Sequence, residues 1–157
     1  MSYKERRLLL EQRMKSALIQ AQEAERSGEV PVGAIVVYED EIIAQAHNMT
    51  EKNNNALNHA EVIAIQKAMN IIGSKYLIGC ELYVTLEPCT MCAGAIVLAR
   101  LEKVIFGAYD SKAGACGSLL DIPQHPLLNH RPMVIGGILE KECSSLLQNF
   151  FHLKRHT

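Results

Sequence analysis

Two short segments of this 157-residue chain bring together residue types that can do chemistry in combination. His59-Ala60-Glu61 supplies an imidazole and a carboxylate, and Pro88-Cys89-Thr90-Met91-Cys92 supplies two thiols. Two thiolates and one imidazole make a three-ligand set for zinc. Such a set leaves the fourth tetrahedral position to water, which distinguishes a catalytic zinc site from a structural one. The metal would lower the pKa of that water toward roughly 7. Glu61, close to the metal without ligating it, would carry the protons. A water activated beside a carboxylate shuttle suits attack on an sp² carbon that bears an amino group. That reaction is hydrolytic deamination.

Blander readings compete with this one. A lone C-x-x-C also occurs in redox centres and structural zinc sites. A redox pair leaves His59-x-Glu61 unexplained. A structural zinc needs four protein ligands, and there is no second C-x-x-C; Cys80, Cys116, Cys143 or a separate histidine would have to complete the set. The open, catalytic site is the stronger reading, and those three cysteines read as inert packing residues.

The elements that must position these residues follow from periodicity. Leu10, Met14, Ala17, Ala21 and Ala24 recur at helical spacing between Glu5 and Ser27, and Ser27-Gly28 ends that helix. Val32–Tyr38 and Ile42–Ala46 read as strands joined by a turn at Glu39-Asp40-Glu41. A polar loop spans Asn48–Asn58, and an apolar helix runs from His59 to Ile72, closed by Gly73. A strand is expected at Glu81–Leu86, a helix at Thr90–Ala99 and a strand at Lys103–Gly107. A long loop (Ala108–Pro132), a short strand (Met133–Ile135) and a final helix (Glu140–Leu153) complete the chain. The last helix carries Cys143, Leu146, Leu147, Phe150 and Phe151 on one face, so at least one of the two phenylalanines is expected in the core.

Alternating strands and helices predict a mixed or parallel sheet with helices on both faces. Ligands in such sheets lie beyond the carboxyl ends of the strands, where Glu87-Pro88-Cys89 falls. Cys89 and Cys92, three apart on a first helical turn, would present both sulfurs to one side. The positive end of that helix favours their thiolate forms. Deep in a regular helix His59 and Glu61 would diverge by about 200°. At a helix start, both can face one pocket.

Composition narrows the classes further. The length predicts a single domain spanning 1–157, with enough chain for a real core. Hydrophobic residues at 48% and charged residues at 21% are ordinary for a globular protein. A net charge of −1 argues against a protein that coats nucleic acid nonspecifically. With no tryptophan and few tyrosines or phenylalanines, no aromatic platform for single strands is obvious. No secretory signal or membrane span is visible. Five cysteines, an odd number, predict a reducing cytoplasm rather than a disulfide framework.

The H-x-E…P-C-x-x-C pattern is the signature of zinc deaminases. Beyond it, the chain resembles the bacterial tRNA-specific adenosine deaminases. The resemblance is carried by Glu29-Val30-Pro31-Val32-Gly33-Ala34, Asn48, His59-Ala60-Glu61 and the run from Leu82 to Ile96. Phe106-Gly107-Ala108-Tyr109-Asp110 and Phe150-Phe151-His152-Leu153-Lys154-Arg155 continue it. It implies a three-layer α/β/α cytidine-deaminase-like fold with a mixed sheet of about five strands, a homodimer, and one zinc ion per subunit. It also implies adenosine-to-inosine conversion at the wobble position of a tRNA anticodon. His59, Cys89 and Cys92 would hold the zinc and Glu61 would move protons. Asn48 would contact the purine and Asp110 would lie near the anticodon-loop backbone. Phe151, Lys154 and Arg155, with His152 and His156 beside them, would contact the tRNA.

The chain departs from its relatives at three places. Asn58 stands where a small residue, commonly alanine, precedes the histidine. The 53–57 loop lacks their Asp-Pro-Thr approach, and Tyr109 replaces a frequently charged residue. These departures bear on base choice, so deamination of a free base or nucleoside such as guanine is the second reading. A non-catalytic, zinc-stabilised RNA-binding module is the third. A base must be unpaired to reach a buried site, and anticodon loops present such bases at low cost.

Overall fold

The computed structural model describes residues 1–155, so His156 lies outside the described residues. Helix α1 (Tyr3–Arg26) begins two residues before the expected start because Ser2 and Glu5 form a capping box. Ser2 Oγ accepts the Glu5 amide at 3.1 Å and the Glu5 carboxylate accepts the Ser2 amide at 2.9 Å. Met14, Ala17, Ala21 and Ala24 form its buried stripe.

Strands β1 (Gly33–Tyr38) and β2 (Glu41–His47) form a hairpin. The turn is two residues long rather than three, since Glu41 pairs with Tyr38. Glu39 and Asp40 both take positive φ, at 49° and 65°, as a tight hairpin turn requires. Helix α2 (Ala60–Ile72) follows the 48–58 loop and closes at Gly73, which is left-handed. Strand β3 (Cys80–Leu86), helix α3 (Thr90–Leu98) and strand β4 (Lys103–Ala108) come next. Strand β5 (Met133–Ile135) and helix α4 (Glu140–Arg155) end the described chain.

The five strands form one mixed sheet in the order β2-β1-β3-β4-β5. β1 is antiparallel to both β2 and β3, whereas β3, β4 and β5 are parallel. α1 packs on β1, β2 and β3, and meets α4, which packs on β4 and β3. α2 packs on β2 and β1 and meets α3, forming the opposite layer. The three-layer arrangement expected from the sequence is therefore present. α1 lies so close to β1 that a side chain at Gly33 would collide with the backbone of Ala17 and Ala21. Tyr83, Phe106, Met14, Ile35 and Leu82 are among the largest fully buried side chains.

The topology brings several chain segments to one end of the sheet. β2 and β3 both run antiparallel to β1, so their C-terminal ends meet its N-terminal end; Gly33 pairs with His47 and Ala34 with Val84. β4 runs parallel to β3, and Leu86 pairs with Ala108. Residues 30–32, 48, 87–89 and 110 converge there. Among the described residues no helix is long and apolar enough to cross a membrane.

Candidate active site

His59 and Cys89 occupy equivalent positions. Each is the N-cap of a helix, with extended backbone (φ −74°, ψ 149° and φ −75°, ψ 179°), and α2 and α3 touch. Cys92 lies in the first turn of α3 and is buried. The two thiols address the same ring nitrogen: His59 Nδ1 is 3.6 Å from Cys89 Sγ and 3.5 Å from Cys92 Sγ. The three donor atoms lie within 4.8 Å of one another, a group that could hold a metal ion. Two soft sulfurs and one imidazole nitrogen are a donor set for zinc, and structural zinc would need a fourth protein donor. Among the described residues the cluster contains three.

Electrostatics divide the three donors. The hydrogen bonds from Cys92 and then from His59 hold the Cys89 thiol down to about 3. Cys92 is pushed up by its bond to Cys89 and by burial. His59 is raised, first by its bond to Cys89. Cys89 is therefore the thiolate of the pair, and a divalent ion drawn between the sulfurs would displace the Cys92 proton.

Glu61 is buried beside them, and desolvation raises its carboxyl above the usual range. It reaches the same pocket as His59 because His59 is not yet helical, so the divergence of a regular helix does not apply. Both side chains line a cavity of about 250 Å³ with Val30, Val32, Asn48 and Leu86. Asn48 is buried, and its Oδ1 accepts the amide of Ala60 at 2.9 Å. That leaves the Nδ2 hydrogens as the part of Asn48 that can donate to a bound base.

Two further buried carboxylates shape the walls. Glu29 accepts the amides of Glu51 (3.0 Å) and Lys52 (2.8 Å) and the Thr50 hydroxyl, fixing the loop after β2. Glu87 accepts the amides of Asp110 (3.1 Å), Cys116 (3.0 Å) and Ser118 (3.0 Å) and the Ser118 hydroxyl, fixing the loop after β4. A side chain at Gly114 would collide with Glu87 and the Asp110 carbonyl. Neither role was read from the sequence, although both residues lie in the segments that carry the resemblance. The available signal was an acid next to apolar strand residues, which must find donors if it is buried.

The remaining predicted contacts fall in one place. Asp110, Phe151, Lys154 and Arg155 line a groove of about 760 Å³ that shares Val30, Leu86, Asp110 and Ala113 with the smaller cavity. Asp110 Oδ1 accepts the amides of Lys112 and Ala113, so its carboxylate also shapes its own loop. The expectation that Phe150 or Phe151 is core is corrected. Cys143 and Leu147 fill the buried stripe of α4, while Phe150 is half-buried and Phe151 is 41% exposed. The fully buried stripe of α4 ends at Leu147, so the apolar pattern of the helix runs on past the part that is buried. Cys80, Cys116 and Cys143 are buried and free, as expected of packing residues. Asn58 is half-buried and absent from the cavity lining; its carbonyl accepts the Met49 amide.

Residues 10–155 match the MafB19-like deaminase family, which sets the class: a deaminase domain built around a potential metal centre. The chain is 49% identical to the tRNA-specific adenosine deaminase of Bacillus subtilis, over 88% of this chain and 86% of the relative. It is 51% identical to that of Aquifex aeolicus, over 91% and 94% respectively. A solved structure of a tRNA:A34 deaminase, studied for A-to-I editing at the wobble position of transfer RNA, superposes with a TM-score of 0.84. That protein is 40% identical, and the alignment covers 87% of this chain and 99% of that one. The chain belongs to the tRNA-specific adenosine deaminase family.

Proposed function

We propose that this protein hydrolyses adenosine to inosine at the wobble position of a tRNA anticodon. The observation that carries the reading is the His59-Cys89-Cys92 cluster facing a pocket that also contains the buried carboxyl of Glu61. Its setting in a chain about half identical to tRNA-specific adenosine deaminases supports the choice of substrate. His59 Nδ1 and the sulfurs of Cys89 and Cys92 would hold one zinc ion per subunit, which supplies Lewis-acid activation of water when bound.

The chain's own residues account for the rest. In the net reaction water replaces the amino group at C6 and ammonia leaves. Glu61 takes a proton from the attacking water and delivers protons to the purine ring and the departing nitrogen; burial keeps its proton affinity high enough for both tasks. Val30, Val32 and Leu86 give the base an apolar seat, and Asn48 Nδ2 donates to its edge. A cavity of about 250 Å³ is small beside the ~300–1,000 Å³ usual for ligand sites, so it suits one unpaired base rather than a base pair. Phe151, Lys154 and Arg155 would hold the flanking nucleotides in the adjoining groove.

The test is inosine formation in an anticodon stem-loop with adenosine at the wobble position, run beside guanine, adenine and their free nucleosides. Conversion in the stem-loop alone supports the reading, and turnover confined to free bases overturns it. A homodimer and a cytoplasmic location belong to the same proposal. The family supports the first, and five unpaired cysteines support a reducing compartment. A monomer by light scattering at micromolar concentration would overturn the dimer.

A further inference from the structure

We propose that Tyr109 is a stacking surface for an unpaired nucleobase next to the one being deaminated. The inference rests on the RNA substrate proposed above and adds a recognition residue that the predicted contacts do not include. Tyr109 is 52% exposed and lines the groove of about 760 Å³ together with Phe151, Lys112, Lys154 and Arg155. Exposed rings beside cationic side chains are the equipment of single-strand binding, because every base has a π-face to offer. The low aromatic content hid this platform. Only two rings are needed, and the fold brings residues 109 and 151 to one groove.

The ring of Tyr109 is held in place. It meets Phe106 edge to face, with centroids 5.1 Å apart and planes at 89°. Gly136 makes room for the pair: a Cβ there would lie 2.4 Å from Phe106 Cζ and 2.9 Å from the Tyr109 hydroxyl. The backbone on either side is fixed by one residue, Glu87. Its amide donates to the Ala108 carbonyl at 2.8 Å, and its carboxylate accepts the Asp110 amide at 3.1 Å. A half-exposed ring packed against Phe106, with both neighbouring peptides held, loses little freedom when a base stacks on it. Asp110 and Ala113 belong both to this groove and to the cavity containing Glu61. The stacked base is therefore adjacent to the target, not remote from it.

The experiment measures KM for the zinc-loaded protein on the anticodon stem-loop with Tyr109→Phe, Tyr109→Leu and Tyr109→Arg. Tyr109→Leu keeps an apolar contact with Phe106 while removing the π-face, so loss of folding does not confound it. Tyr109→Leu is expected to raise KM between about fivefold and a hundredfold, and Tyr109→Phe to stay near wild type. The slope of log KM against log salt is expected to be unchanged in Tyr109→Leu, because the lost ring is neutral. In Tyr109→Arg it steepens by about 0.7 as a phosphate contact is gained. In stem-loops carrying an abasic nucleotide beside the target, the effect of Tyr109→Leu disappears at one position. An unchanged KM in Tyr109→Leu, or equal losses in Tyr109→Leu and Tyr109→Phe, overturns the stacking role. Wild-type protein that deaminates no stem-loop overturns the activity reading instead.

Discussion

Asn48 caps a helix on behalf of His59. The N-cap of α2 is His59, yet its side chain makes no capping bond, because Nδ1 is turned to the thiols of Cys89 and Cys92. The amide of Ala60 donates instead to Asn48 Oδ1, twelve residues earlier, at 2.9 Å. A residue at a helix start whose ring is turned to two thiols thus gives up the work an N-cap normally does, and a residue lining the same cavity takes it over. Asn48 links the stability of α2 to the shape of the cavity.

That linkage separates two substitutions. Asn48→Asp keeps an oxygen for the Ala60 amide and places negative charge at a helix N-terminus, where it is favourable. Asn48→Ala removes the cap and is expected to destabilise the protein by about 1 kcal/mol. Both remove the Nδ2 donor. Denaturant unfolding should therefore distinguish the two variants, whereas stem-loop deamination should fall sharply in both. Wild-type turnover by Asn48→Asp would dissociate the residue from the base.

Glu61→Gln keeps the size and hydrogen-bonding shape of the buried side chain while removing its proton affinity. Turnover is expected to drop by about 10²–10⁴-fold, with zinc content per subunit measured by elemental analysis unchanged. Thermal stability should not decrease, because the residue removed is a carboxyl that burial disfavours in its charged form. A Glu61→Gln protein that loses its zinc would make Glu61 a ligand rather than a proton carrier.

Glu29 predicts an acid-side stability loss. Burial alone would raise its pKa, but the amides of Glu51 and Lys52 and the Thr50 hydroxyl together hold it below its ordinary value of 4.5. A carboxylate with a depressed folded pKa contributes stability that is complete above the unfolded value and is lost as pH falls through the folded one. Glu29→Gln should therefore melt below wild type at pH 7, and the gap should narrow once the pH drops below 4.5. Equal melting temperatures at neutral pH would show that the bonds to the 50–52 segment contribute nothing net.

Chelation should expose one particular thiol. Cys89 is partly exposed and held down to about 3, whereas Cys80, Cys116 and Cys143 are buried and pushed up to about 11, 12 and 12. After zinc removal, iodoacetamide at pH 6 should alkylate Cys89 first, and prior zinc loading should protect it. Peptide mapping reads the outcome. Alkylation of Cys116 or Cys143 ahead of Cys89 would contradict the assignment of the thiolate.

Much of this protein is legible along the chain. The stripe of α1, the left-handed stop at Gly73 and the strand-to-helix passage at Pro88-Cys89 all express local periodicity, caps and backbone restriction, so the sequence is sufficient to place them. The cluster that could hold a metal ion is legible too, since His59, Cys89 and Cys92 are chemically distinctive and two share one helical turn. The two-residue turn at Glu39-Asp40 and the absence of both Phe150 and Phe151 from the fully buried core are not legible in this way. Hairpin register and the edge of a buried surface depend on what lies opposite, which periodicity does not encode.

Tertiary structure alone decided how the pocket walls are held and what the groove contains. Glu29 and Glu87 look like ordinary acids in sequence; each becomes structural because a loop from elsewhere turns its amides onto a carboxylate that has lost its water. Asn48 becomes a helix cap only when the end of β2 meets the start of α2, and Tyr109 joins Phe151 only when the loop after β4 and the helix α4 line one groove. The sequence determined which groups could do chemistry, because that is a property of residue type. Which groups meet was left to the fold, because contact between distant segments is set by strand order and register.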